Sequence, residues 1–304
     1  MKGPIILKKT KLELLIDPPG ENYQRTRFDW TGKIRALTYE GKSITGRELL
    51  HPGPDQLAGE GFYNEFGIDG PLGYDELPVG EWCHKIGVGR VKKEDTSYDI
   101  HKDYDCQPCE FEVEREEQAL RLTCHGPLLN GYAYLLKKEI RLLESGFQIN
   151  YYLENQGEKP ILTSEYSHNF LNIDQAPIGE AYRLRFPFEL KPEGFGERVN
   201  PEGLLTIGQR EVTWKGTPKE AFFFSMLSGG EEVEATWELW NVASGMGISE
   251  TGSFPTRKVN LWGCGHVISP ELFFDIRLAP AQSVRWSRTY QVLEAQGLDK
   301  ENLF

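Results

Sequence analysis

Apolar and polar residues alternate along most of this chain with a period of two, the spacing that sends successive side chains to opposite faces of a β-strand. Residues 11–16 alternate until Pro18-Pro19-Gly20 interrupts them, and 27–37 reads as a hairpin turning at Thr31-Gly32. Four alternating segments then form a meander over 110–114, 119–124, 132–142 and 147–154, with turn residues Glu-Glu-Gln, Gly-Pro and Glu-Ser-Gly between them. Further strands are expected over 181–188, 211–214, 221–226, 232–241 and 284–293. Helical periodicity is weak throughout, and only the last dozen residues suit a helical turn. Residues 51–89 lose the pattern among Gly, Pro and acidic residues and read as one long loop. Loops of that length in compact domains are usually functional or disordered, and Phe62, Tyr63, Phe66, Tyr74 and Trp82 argue against disorder. No repeat, low-complexity segment or linker divides the chain. The expectation is a single all-β domain over 1–304, a large antiparallel β-sandwich with polar groups projecting from one sheet into a groove.

Composition narrows the function classes. With 7 Trp, 13 Tyr and 16 Phe in 304 residues, aromatic rings suffice to build a core and line a groove. Gly (32) and Pro (18) far outnumber Met (3), which favours short strands joined by turns. A net charge of −12 without a basic block argues against nucleic acid as a partner, because phosphate backbones are held by clustered Lys and Arg. No apolar run approaches the roughly 20 residues of a membrane helix, so no membrane partner is expected. The N-terminal apolar run is too short for a signal peptide. The five cysteines, Cys83, Cys106, Cys109, Cys124 and Cys264, are odd in number and scattered, which disfavours a disulfide framework. A cytoplasmic location is the resulting expectation, and a homodimer is compatible with it.

Two polar groups in strand-like segments stand out. In Tyr166-Ser167-His168-Asn169-Phe170-Leu171-Asn172, period two puts Tyr166, His168, Phe170 and Asn172 on one face. A strand histidine is more often structural than catalytic, but rings and an amide on its own face suit a sugar. After Pro270, the aliphatic face made by Leu272, Phe274, Ile276 and Leu278 turns Glu271 the other way, with Phe273, Asp275 and Arg277. Taken alone, Glu271 reads as a solvated strand-edge carboxylate. Arg25 and Arg27, at a strand start, and His84, Lys85 and Arg90, at the close of the long loop, are candidate donors to sugar hydroxyls. Trp262 is a candidate stacking ring. Cys106-Gln107-Pro108-Cys109 has redox or metal spacing, yet a strand follows it and only His101 lies near, so two ordinary thiols are expected and no metal. Nucleophile elbow, phosphate loop, dinucleotide fingerprint and His-Glu-x-x-His motif are all missing, and no cofactor is expected.

These residues resemble the aldose 1-epimerase, or galactose mutarotase-like, superfamily. The family's strand motif His-Pro-Tyr-Phe-Asn-Leu, preceded by an Asn-x-x-x-x-Pro turn, has its counterpart in Asn155 to Pro160 followed by His168-Asn169-Phe170-Leu171-Asn172-Ile173. The family's C-terminal pattern, a Glu at a strand start and a later Leu-x-Pro-Gly-Glu turn, is matched by Pro270-Glu271 and Leu278-Ala279-Pro280-Ala281-Gln282. The resemblance implies a β-sandwich whose concave sheet face binds a small-molecule sugar. It implies an isomerase in which His168 protonates the ring oxygen and Glu271 takes the proton of the anomeric hydroxyl. Anomers interconvert when the opened aldehyde rotates and recloses. Asn64 and His84 are the nearest counterparts of family residues in the early loops. Glu65 stands where the family carries a substrate-binding Arg. That departure opens the alternative of a carbohydrate-binding protein without turnover.

Overall fold

In the computed structural model, residues 3–51 and 58–295 are described. Two ten-stranded antiparallel sheets dominate them. The first runs in the order Ile5–Lys9, Leu12–Asp17, Lys33–Tyr39, Phe62–Phe66, Ile161–Asn169, Val267–Leu278, Val259–Cys264, Phe222–Phe224 and Arg198–Val199, with Lys42–Ser43 beside Lys33–Tyr39. The second contains the predicted meander and runs Leu205–Ile207, Glu211–Trp214, Tyr182–Arg185, Val233–Asn241, Met246–Thr256, Ser283–Glu294, Gly146–Asn155, Tyr132–Leu142, Ala119–Leu129 and Glu110–Arg115. A small sheet of Trp82–Lys85, Gly89–Lys92 and Cys106–Pro108 stands apart. The fold is a large antiparallel β-sandwich, and no helix among the described residues is long and apolar enough to cross a membrane.

One hydrophobic core joins the inner faces of both sheets, from Leu7, Leu14 and Phe62 to Ile149, Trp237 and Tyr290. The same layer holds buried charge. Arg288, fully buried, donates from Nη2 to Glu165 Oε2 at 2.8 Å and from Nη1 to Glu250. The Trp286 indole donates to Glu165 at 3.0 Å, and Asn169 and Trp237 donate to Glu250 at 2.8 and 2.9 Å. Low-dielectric surroundings make such a network costly to leave half-paired, so it fixes the register of the strands that carry it. Asn155 in the predicted Asn-to-Pro turn donates to the carbonyls of Lys159 and Leu278, tying that turn to the neighbouring strand end.

Three expectations change. Of the hairpin over 27–37, only Lys33–Tyr39 is a strand. Asp29 accepts from Thr31 N at 2.7 Å and pairs with Lys138, which folds 27–31 as an irregular buried segment across the sheet. Residues 51–89 are not one long loop: Phe62–Phe66 is an inner strand of the first sheet, and Trp82–Lys85 belongs to the small sheet. Residues 52–57 of that stretch lie outside the described residues, as do most of the last dozen. Met246–Thr256 and Val259–Cys264 are additional strands.

Candidate active site

Three neighbouring strands build the site. Phe62–Phe66 pairs with Ile161–Asn169, setting Glu65 opposite Tyr166, and Ile161–Asn169 pairs with Val267–Leu278, setting Tyr166 opposite Phe273. Alternation turns Asn64, Glu165 and Asn169 into the space between the sheets and turns Glu65, His168 and Glu271 out of the opposite face. There the three meet. His168 Nδ1 lies 3.2 Å from Glu271 Oε1, and His168 Nε2 lies 3.0 Å from Glu65 Oε2. The imidazole is thus held between two carboxylates. Ser269 Oγ donates to Glu271 Oε1 at 3.2 Å. Glu65 also accepts from Arg27 Nε at 3.1 Å, Tyr166 OH at 2.7 Å and Lys85 Nζ at 3.4 Å. Around His168, Phe28 sits edge-on at 5.0 Å, Tyr166 at 4.5 Å and Phe170 stacks at 5.7 Å. His168 and Glu271 each retain 5 % of their surface, whereas Glu65 has none. A cavity of about 240 Å³, lined by Tyr23, Arg27, Phe28 and Glu48, adjoins this cluster.

The electrostatics follow from these contacts. Burial alone pushes the His168 pKa down, and Arg27 acts in the same direction. Glu271 and Glu65 reverse this, so the group ends above its ordinary value of 6.5. Burial would raise Glu65, but Lys85, Arg27 and His168 hold it well below the usual carboxylate range. Lys85 is lowered by burial, which Glu65 only partly offsets. The site therefore contains an imidazole whose charged, proton-donating form is favoured by the carboxyl groups at both of its nitrogens, with Glu271 in contact with one nitrogen and Glu65, held ionised by cations, at the other.

The sequence candidates fall into three groups. His168, Glu271, Phe170, Arg27 and Lys85 come together, although Arg27 and Lys85 direct their hydrogen bonds to Glu65 and not to the imidazole. Trp262 is half-buried and meets Phe170 edge-on at 6.2 Å, one ring further out. Asn64, His84, Arg90 and Asn172 are elsewhere. Asn64 accepts from Lys138 Nζ at 2.7 Å and donates to Glu165 at 3.1 Å inside the sandwich, because the strand's alternation gives the outer face to Glu65. His84 is buried against Tyr134, with Nε2 2.7 Å from the Pro127 carbonyl, and Arg90 faces it across the small sheet. Asn172 lies beyond the strand end and donates to the His266 carbonyl at 2.6 Å. Cys83, Cys106, Cys109, Cys124 and Cys264 are free thiols. Among the described residues no group of three or more His, Cys, Asp or Glu side chains is arranged to hold a metal ion.

Glu65 is the residue whose role the sequence reading missed. Period two over Phe62-Tyr63-Asn64-Glu65-Phe66 carries the signal: with Phe62 and Phe66 inward, Tyr63 and Glu65 point outward together.

No family model matches the chain, and no curated protein sequence does. Solved structures match it over almost its whole length. A protein of Synechocystis sp. PCC 6803 is 12% identical, with 96% of each chain covered and a TM-score of 0.61. A putative aldose 1-epimerase of Escherichia coli K12 is 11% identical over 96% of this chain and 99% of its own, at a TM-score of 0.60. A galactose mutarotase-like protein of Lactobacillus casei ATCC 334 is 13% identical over 95% and 100%, at 0.59. The chain has the galactose mutarotase-like β-sandwich fold, in a sequence far diverged from these structures.

Proposed function

We propose that this protein is an aldose 1-epimerase-like isomerase that interconverts the α and β anomers of an aldose or aldose derivative. The observation that carries the reading is the direct contact of His168 Nδ1 with Glu271 Oε1 on the outer face of the sheet, inside a ring of aromatic side chains. A hemiacetal carries an acceptor, the ring oxygen, and a donor, the anomeric hydroxyl, on one carbon. It would replace that contact, its ring oxygen accepting from His168 Nδ1–H and its hydroxyl donating to Glu271. Proton transfer from His168 and to Glu271 breaks the ring C–O bond and leaves a free aldehyde. Rotation about the first carbon–carbon bond and reversal of both transfers give the other anomer. Positioned acid and base groups each contribute about 10²–10⁴-fold. Glu65 accepts from Nε2, holding the ring in orientation and favouring its charged form, a positioning role with no contact to the sugar.

A second reading, a carbohydrate-binding protein without turnover, is favoured by one observation: both ring nitrogens of His168 are already engaged by carboxylates. Polarimetry on a freshly dissolved pure anomer separates the two. The enzyme reading expects mutarotation well above the buffer rate, reduced to that rate by His168→Asn or Glu271→Gln. Sugar binding by calorimetry with no acceleration establishes the second reading instead.

A further inference from the structure

A second cavity, about 980 Å³, opens beyond the strand ends and is lined in part by Thr45, Asn172, Gln175, Thr217, Cys264 and His266. The turn Cys264-Gly265-His266 places Cys264 Sγ 3.2 Å from His266 Nδ1. His266 Nε2 lies 3.2 Å from the backbone carbonyl oxygen of Glu48. A carbonyl only accepts, so in the neutral ring Nε2 carries the proton and Nδ1 keeps a lone pair at which the thiol hydrogen can be directed. The turn is firmly seated: Asn172 donates to the His266 carbonyl, and a Cβ on Gly265 would stand 2.3 Å from the Pro218 carbonyl oxygen. This pair takes no part in the chemistry at His168, although Cys264 packs against the cluster that contains Phe170 and Val267.

We propose that Cys264 is a nucleophilic thiol, with His266 as its base, that captures short hydroxylated aldehydes in this cavity as reversible hemithioacetals. Burial raises the Cys264 pKa, so the resting sulfur is S–H and attack needs a base within hydrogen-bond reach, the place that His266 Nδ1 occupies. In the step, a sulfur lone pair attacks the carbonyl carbon and the C–S bond forms as the C=O π bond breaks. The thiol proton passes to Nδ1 and then to the alkoxide oxygen. No electron is gained or lost overall and no group leaves, so the adduct reverts by the same route. Hydroxyl and amide side chains from Thr45, Thr217 and Gln175 suit the hydroxyl groups of such an aldehyde.

The test uses the full-length protein at neutral pH, alkylated with iodoacetamide and followed by peptide mapping. Cys106 is the internal reference, since it is half-buried, has a thiol pushed up to about 12 and makes no hydrogen bond to a histidine among the described residues. Cys264 is expected to react at least about tenfold faster than Cys106. Millimolar glyceraldehyde is expected to slow Cys264 and leave Cys106 unchanged, and His266→Asn is expected to remove the advantage of Cys264. Equal rates at Cys264 and Cys106, no protection by glyceraldehyde, or an unaltered rate in His266→Asn would each overturn the proposal. The first two comparisons need only the unsubstituted protein.

Discussion

Replacing Glu65 with Gln keeps the shape of the side chain and removes one buried negative charge. Four groups depend on that charge: Arg27 at 3.1 Å, Lys85 at 3.4 Å, the Tyr166 hydroxyl at 2.7 Å and His168 at 3.0 Å. Removing one member of a buried ion pair is destabilising by about 3–5 kcal/mol, because the partner is left charged and desolvated. Two features place this case at the lower end. Lys85 Nζ keeps the Gly67 carbonyl at 2.9 Å, and Arg27 keeps Glu48 at 3.8 Å. A loss of about 3 kcal/mol lowers the thermal midpoint by roughly 6 °C, at about 2 °C per kcal/mol for a chain of this size. Scanning calorimetry of the wild type, Glu65→Gln and Glu65→Gln/Lys85→Met tests this. The double variant is expected to recover part of the loss, since it removes the stranded cation. A midpoint within about 1 °C of wild type in the single variant, or a double variant no more stable than the single, would refute the view that Glu65 anchors the site's charges.

Three further outcomes follow from the same contacts. Because the folded pKa of His168 lies above its ordinary value of 6.5, the pair with Glu271 adds stability that is fully present below the unfolded pKa. That stability, and proton donation with it, fades as pH rises through the folded pKa. NMR titration of the imidazole should place that pKa above 6.5 in the wild type and lower in Glu271→Gln. Arg288→Met strands Glu165 and Glu250 in the core and is expected to reduce the free energy of unfolding by about 3–5 kcal/mol, read from urea titration. Gly61, at φ +56° and with a would-be Cβ 2.3 Å from the Ile34 carbonyl oxygen, immediately precedes the strand that carries Glu65. Gly61→Ala is expected to lower stability by about 2 kcal/mol, with a matching shift of the urea midpoint.

What could be read from the sequence tracks how the strands are buried. The meander from Glu110 to Asn155 exposes one face and buries the other, so its alternation is written in residue type. Phe62–Phe66 is buried at all five positions, and a strand covered on both faces loses its polar half-period. That strand is hidden within an apparent loop, and the sequence points to Asn64 where its neighbour Glu65 reaches the site. His168 and Glu271 were legible because alternation fixes which way each points, and family-like motifs marked both strands. Their meeting was not legible from spacing, since the strand pairing that joins positions 103 residues apart is a property of sheet order. The thiol–imidazole pair at Cys264 and His266 was equally hidden: two residues separated by one glycine meet only because the chain turns there.

Magnetisation-exchange NMR of anomeric protons, run on neutral, phosphorylated and acidic aldoses, tests the central claim most directly. The account predicts α–β exchange well above the buffer rate for at least one sugar, and its loss in both His168→Asn and Glu271→Gln while each variant keeps its folded circular dichroism. No exchange above buffer with any sugar, or exchange that survives either substitution, would contradict it.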